Sequence, residues 1–168
     1  AAKLDQFFST PELATGLGSY GVIHEMTEAS AVRMGQWGLS NQPSHHIPYM
    51  YDFAGQAAKG QALIREALQR QFIGSEIGQG YPGDEDNGEM SAWQIMSALG
   101  IYPLQMGSAN WAVGSPLFKR ATIHLENGRD IVIKVAGARD VKKPRSVSLD
   151  GIELVDRAGE IVARPDID

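Results

Sequence analysis

Cysteine is absent from all 168 residues, which excludes disulfide cross-links and thiolate metal sites but leaves the compartment open. No run approaches the roughly 18 apolar residues that a membrane-spanning helix needs. Basic charge is not in excess either. Fifteen Lys and Arg stand against 20 Asp and Glu, for a net charge of −5, too mild and too mixed in sign for a nucleic-acid surface. The opening residues Ala1-Ala2-Lys3-Leu4-Asp5 lack the charged stretch and apolar run of a secretion signal. Phosphate-cradling glycine loops, Gly-x-Ser-x-Gly elbows and His-Glu-x-x-His zinc helices are also missing. The chemistry that remains is that of carboxylates, amides and an oxygen-liganded cation.

What is present can build a core, since 43% of residues are hydrophobic. Composition changes near Pro116, from helical apolar spacing to β-branched alternation. Leu63, Ile64, Ala67, Leu68 and Phe72 share one face of residues 61–72, which predicts an amphipathic helix stopped by Gly74. Residues 89–99 repeat the spacing with Ala92, Ile95, Met96 and Leu99 on one stripe and Gly100 as C-cap. Further helices are expected over Tyr49–Ala58, after Pro48, and over Ala1–Phe8, before Thr10-Pro11. Two long stretches, 16–48 and 74–88, read as loops. In the last quarter Ala121, Ile123 and Leu125 face Ile131, Ile133 and Val135 across an Asn127-Gly128 turn, a strong hairpin signal. A second pair, Val147/Leu149 and Ile152/Leu154, flanks Asp150-Gly151, with Gly137–Pro144 as a basic linking loop.

Three features carry candidate chemistry. Gly83-Asp84-Glu85-Asp86-Asn87-Gly88-Glu89 concentrates four acids among glycines just before a helix. Such a cluster is solvated, binds a cation, or has raised pKa values suited to acid–base work; Asn87 or Glu89 can also cap the following helix. It is a poor EF-hand, because the glycine arrives one place early and Ile95 stands where the last glutamate is required. Asn41-Gln42-Pro43-Ser44-His45-His46 is a stiff stretch dense in groups that hydrogen-bond sugar hydroxyls. Neighbouring histidines in extended chain point to opposite sides, which argues against one shared metal. Aromatics, Trp37, Tyr49, Tyr51, Tyr81, Trp93 and Trp111, lie in or beside these loops and suit a carbohydrate site, although Trp93 on a helix also suits a core. Nothing but charge singles out Glu25 and Glu28.

Taken together, the strings at 40–46, 80–93, 97–103 and 114–118, with the hairpin after them, resemble glycoside hydrolase family 92 in order and spacing from about Leu4 to about Val135. The resemblance implies a calcium-dependent exo-α-mannosidase that inverts the anomeric centre, built from an N-terminal β-sandwich and an (α/α)6 barrel. The fold expected here is mainly α with a C-terminal antiparallel β unit. Residues 1–118 would be the last barrel helices, and residues 119–168 a β-strand segment packed on the rest of the enzyme. Asp84 and Asp86 match the family's general-base loop. Asn41 and Gln42 match a segment that helps to hold Ca2+, with Gln42 where many members have Glu, so one negative charge is lost. His45, His46 and Trp37 fall among the residues expected to shape the mannose site. The partners implied are a mannose-containing glycan and the missing N-terminal portion of the same enzyme, with neither nucleic acid nor a membrane span. The setting implied is secreted or periplasmic.

The general acid belongs to an earlier barrel segment without counterpart here, and Glu25 and Glu28 are not promoted to that role. Two other readings fit the residues: a carbohydrate-binding or inactive relic module, and a related (α/α)6 glycosidase of different sugar specificity. On the leading reading the chain by itself will not hydrolyse an aryl α-mannoside supplied with calcium. Turnover that vanishes in Asp84→Ala or Asp86→Ala would show instead that both halves of the catalytic pair are present.

Overall fold

A computed structural model describes residues 1–13, 20–74, 79–105, 107–108, 111–135, 149–155 and 161–163. Among the described residues, α1 covers Ala2–Ser9, α2 His24–Val32, α3 Met50–Phe53, α4 Ala57–Arg70 and α5 Glu89–Leu99, with 3-10 turns at Gln42–Ser44 and Ile47–Tyr49. Strands follow: β1 (Ile101–Tyr102) pairs with β2 (Ala112–Val113), and β3 (Arg120–His124), β4 (Asp130–Val135), β5 (Leu149–Val155) and β6 (Ile161–Ala163) form an antiparallel meander in that order. No helix among them is long and apolar enough to cross a membrane.

The helices answer to their apolar faces, with informative exceptions. In α4, Ile64, Ala67 and Leu68 are buried as the spacing predicts, but the helix starts four residues before 61 and ends two before 72. The helix expected at Tyr49–Ala58 is broken. Pro48 sits inside the 3-10 turn Ile47–Tyr49, α3 lasts one turn, and Ala54 and Gly55 close back on the carbonyls of Tyr51 and Asp52 before α4 begins. The stretch 16–48 is not all loop, since α2 occupies its middle. Ala, Ser and Thr dilute the apolar stripe of α2, which buries only Ala29 and Val32, so periodicity does not reveal it.

α5 buries a different face from the one its aliphatic residues suggest. Met90, Trp93, Ser97 and Ala98 point inward, while Ile95 is 58% exposed. The aromatic partners decide this. Trp93 stacks on Phe72 (centroids 5.9 Å apart, planes at 10°) and meets Trp37 edge-on at 6.0 Å. A tryptophan buries more area than any aliphatic side chain on the opposite stripe, so burying it outweighs exposing Ile95. Ser97 is accommodated in this core by a 2.8 Å hydrogen bond with the hydroxyl of buried Tyr49.

The end of α5 couples the helices to the strands. Gly100 caps it with a left-handed φ of 82°, its N–H donating to Met96 and Ser97. A Cβ at Gly100 would lie 2.2 Å from Cγ of Pro116. The segment before β3 is pinned by Gly114 N–H to the Gly100 carbonyl (2.8 Å), Leu117 N–H to the Ala98 carbonyl (2.9 Å), and Arg65 of α4 bonding Ser115 Oγ (2.7 Å) and the Pro116 carbonyl (2.6 Å).

The first hairpin has the expected register, Ala121 opposite Ile133 and Ile123 opposite Ile131, closed at Asn127-Gly128. The second does not exist as expected. Asp150-Gly151 lies inside β5, where Gly151 pairs with Lys134 and Leu149 with Val135, leaving Asp150 as the extra residue of a bulge. Asp-Gly suits a bulge as well as a turn, because both need an irregular backbone. Val147 and the 137–144 linking loop lie outside the described residues.

Gly100→Ala therefore combines left-handed strain with the Pro116 clash. A loss of about 2–4 kcal/mol is expected, read as a lowered midpoint in urea or thermal unfolding. A neutral change would show that the α5–Pro116 contact is not made.

Candidate functional site

The site is assembled from three pieces of chain: the first turn of α2, the turn at 38–46, and the acidic loop at 79–89. After α2 the backbone reverses and runs back along the helix, so that an added Cβ on Gly38 would lie 3.6 Å from Ala29 Cβ and 3.7 Å from the Glu25 carbonyl. This return places Ser40 Oγ 2.6 Å from Glu28 Oε2. The turn beyond is held from below by the core. Buried Trp37 donates its indole N–H to the Ser44 carbonyl (2.9 Å), and buried Trp93 donates to the His45 carbonyl (3.2 Å). Asn41, Gln42 and His46 remain exposed.

The acidic loop is anchored at Gly83. Its carbonyl accepts from Gln79 Nε2 (2.7 Å), and a Cβ there would sit 2.1 Å from Glu28 Oε2 and 2.4 Å from Ser40 Cβ. Only glycine fits. The acids that follow do not act as one repelling cluster, because each has its own partner. Glu85 turns inward as the cap of α5, accepting from the N–H groups of Gly88 and Ser91. Those bonds hold its carboxyl below the usual glutamate range. Asp86 accepts a hydrogen bond from the Gln42 side-chain amide. Asp84, 68% exposed, faces His24 at 4.0 Å, and Glu89 faces His45 at 3.6 Å. Asp86 and Asn87 hold left-handed φ angles of 57° and 59°, a conformation that Asp and Asn adopt more readily than most residues.

The two histidines beside these acids sit in opposite environments. His24 is exposed and its pKa is raised, first by the hydrogen bond to Glu28 (3.3 Å) and then by the negative charges of Glu25, Glu28 and Asp84. His45 is buried, and desolvation lowers its pKa despite the charge of Glu89. Its Nε2 has no hydrogen-bond partner among the described residues.

Asp84, Asp86 and Gln42, singled out in the sequence, are thus brought together at one surface. His45 reaches the same loop through Glu89, but it is buried. Trp37, expected to shape the sugar site, is fully buried, with Phe8 and Trp93 against its ring. Tyr49, Tyr51 and Trp93 are core for the same reason, and Tyr81 packs on Phe72 while bonding Ser91. Of the six aromatics, Trp111 is the one offering substantial surface, at 48% exposed. Glu28 stands out in the sequence only by its charge and His24 not at all, although i,i+4 spacing puts both on one face once α2 is known to be a helix.

The donors available to the calcium implied by the resemblance are amide oxygens. Gln42 commits its NH2 to Asp86, which leaves its Oε1, together with the exposed Asn41 side chain, for a hard cation. Among the described residues no group of three or more His, Asp or Glu side chains is placed to hold a metal.

Residues 1–162 match the glycosyl hydrolase family 92 catalytic domain, and the chain belongs to that family. It is similar to an uncharacterized secreted glycosidase of Arthroderma benhamiae, 23% identical over 97 residues that make up 57% of this chain and 12% of that protein. Its fold resembles that of a family 92 α-mannosidase from Bacteroides thetaiotaomicron, with 26% identity and a TM-score of 0.62. A second structure of that enzyme, in complex with mannoimidazole, gives 27% and 0.61. Both matches cover 78% of this chain, which spans only 15% and 16% of theirs.

Histidine NMR titration tests the described environments. The raised pKa of His24 means that its contribution to stability is present below the ordinary histidine value and lost as pH rises through the folded one. For His45 the sign is reversed, and stability present above the ordinary value is lost as pH falls from there through the lowered folded one. The midpoint of His24 is expected above about 6.5 and that of His45 below it. The opposite order would contradict the described pairing and burial.

Proposed function

We propose that the full protein containing this chain is an inverting exo-α-mannosidase acting on terminal α-mannosides of glycans, with residues 83–88 as its general-base loop. The observation that carries this reading is the hydrogen bond from Gln42 to Asp86. It joins the two motifs to which this reading assigns the sugar, and the carboxylates of Asp84 and Asp86 lie at the surface.

In this reading one of these carboxylates takes a proton from a water molecule, and that water's oxygen bonds to the anomeric carbon from the face opposite the leaving group. The glycosidic C–O bond breaks, and its oxygen is protonated by a carboxylic acid roughly 6.5–9.5 Å from the base. The acid comes from a part of the enzyme outside this chain. Asp84 is well exposed, and Asp86 accepts one amide hydrogen bond. A carboxylate offers about four lone-pair positions, so each keeps acceptor capacity for water. Asn41 and Gln42 would hold calcium, which when bound supplies positive charge to grip sugar hydroxyls. Placement of the helices in an (α/α)6 barrel, and secretion of the enzyme, belong to the same proposal. They are supported by the family match and by the secreted relative.

Assays of the full-length protein on an aryl α-mannoside test the reading. Asp84→Asn and Asp86→Asn are made separately, and at least one is expected to lower kcat by about 10²–10⁴-fold, the usual worth of a general base. Chelation is expected to abolish activity and added calcium to restore it. Proton NMR of the fresh product should show β-mannose first. Initial release of α-mannose, or full activity in both variants, would overturn the proposal.

A further inference from the structure

Glu28 has no place in the reaction as proposed, yet both candidate motifs rest on its carboxylate. Oε2 accepts from Ser40 Oγ at 2.6 Å, immediately before Asn41-Gln42. Oε1 faces His24 Nδ1 at 3.3 Å. The same carboxylate lies against Gly83, immediately before Asp84, at a distance that leaves no space for a methyl group. Its side chain is only 17% exposed. A carboxylate so covered must be compensated by hydrogen bonds, and those bonds come from Ser40 and His24. Gly83 supplies the complementary shape, because glycine is the one residue that lets a backbone approach this closely.

We propose that Glu28 is the positioning residue of the site, setting the acidic loop against the Asn41–Gln42 turn through Ser40, His24 and Gly83. This role rests on the mannosidase reading for its catalytic meaning, but not for its structural part. Glu28 reaches the reacting atoms only through the loop, so its loss displaces Asp84 and Asp86 without removing either. A misplacement of about 1 Å costs on the order of 10²-fold in rate. The Asn41–Gln42 turn keeps its separate hold from the Trp37 and Trp93 indoles, so sugar binding changes less and the loss falls on kcat rather than KM.

The test uses the full-length protein and the variants Glu28→Ala and Glu28→Gln, the second retaining side-chain volume and an oxygen that accepts from Ser40. The first readout is amide hydrogen exchange in peptides spanning 83–91, where Gly88 and Ser91 N–H bond Glu85 and Met90 N–H bonds the Glu85 carbonyl. In Glu28→Ala exchange there is expected to quicken by about tenfold or more while α4 stays protected, which separates local loosening from unfolding. The second readout is steady-state kinetics. In Glu28→Ala kcat is expected to fall about 30-fold or more with KM within about threefold, and in Glu28→Gln to fall less.

Unchanged exchange in both variants overturns the hold of Glu28 on the loop, whatever the activity. Unchanged kcat, in an enzyme that loses activity with Asp84→Asn or Asp86→Asn, overturns its positioning role. If the wild type cleaves no α-mannoside, the mannosidase reading fails separately. Faster exchange in Glu28→Ala then still sustains the structural part.

Discussion

Two buried indole N–H groups tie the candidate site to the core. Trp37 and Trp93 lie at the centre of the helical part, where burial of their rings contributes most and an unpaired N–H would cost about 1–3 kcal/mol. Both donate to consecutive carbonyls, those of Ser44 and His45. The hydrophobic effect thus fixes the rings, the rings fix two peptide groups, and those peptides fix the turn that presents Asn41 and Gln42. The same constraint explains why α5 turns its Trp93 face inward and leaves Ile95 at the surface.

A second layer of constraint is electrostatic. Four acids within residues 84–89 would repel one another if they shared a direction. The backbone distributes them instead: Glu85 inward to the start of α5, Asp86 to Gln42, Asp84 toward His24, and Glu89 toward His45. The left-handed angles at Asp86 and Asn87 accompany this fanning. Capping by Glu85 satisfies orphan amides at the helix start and places a negative charge at the positive end of the helix dipole. One acid of the loop is thereby structural, and the carboxylates of Asp84 and Asp86 stay at the surface.

The legible part of the fold was the part governed by strong, local periodicity. The apolar face of α4, the Gly100 cap and the Asn127-Gly128 hairpin follow from residue spacing within a single element. What escaped depends on partners distant in sequence. α2 has no apolar stripe to announce it, because Ala29 and Val32 suffice to seat it. The buried face of α5 is set by Phe72 and Trp37, and Asp150-Gly151 became a bulge because β4 supplies a partner on both sides of it. In the site, the motifs at 41–42 and 84–86 were visible as strings. The burial of Trp37 is not legible there, because an aromatic beside a polar loop reads alike whether it faces sugar or core.

Glu28 illustrates why such a residue is invisible before folding. Its partners, Ser40 and Gly83, lie 12 and 55 positions away and carry no charge that would advertise a pairing. Nothing in the composition distinguishes it from Glu25, three residues earlier on the same helix. The distinction is steric. A glycine that cannot accept a methyl group marks the spot where two chain segments are pressed together, and the carboxylate lies at that spot. In a site whose recognised groups stand on turns and loops, rigidity has to be imported from a helix, since loop backbones have few bonds of their own to hold them. α2 provides it chiefly through Glu28, with His24 beside it, so the geometry of the acidic loop depends on a residue that need never touch the sugar.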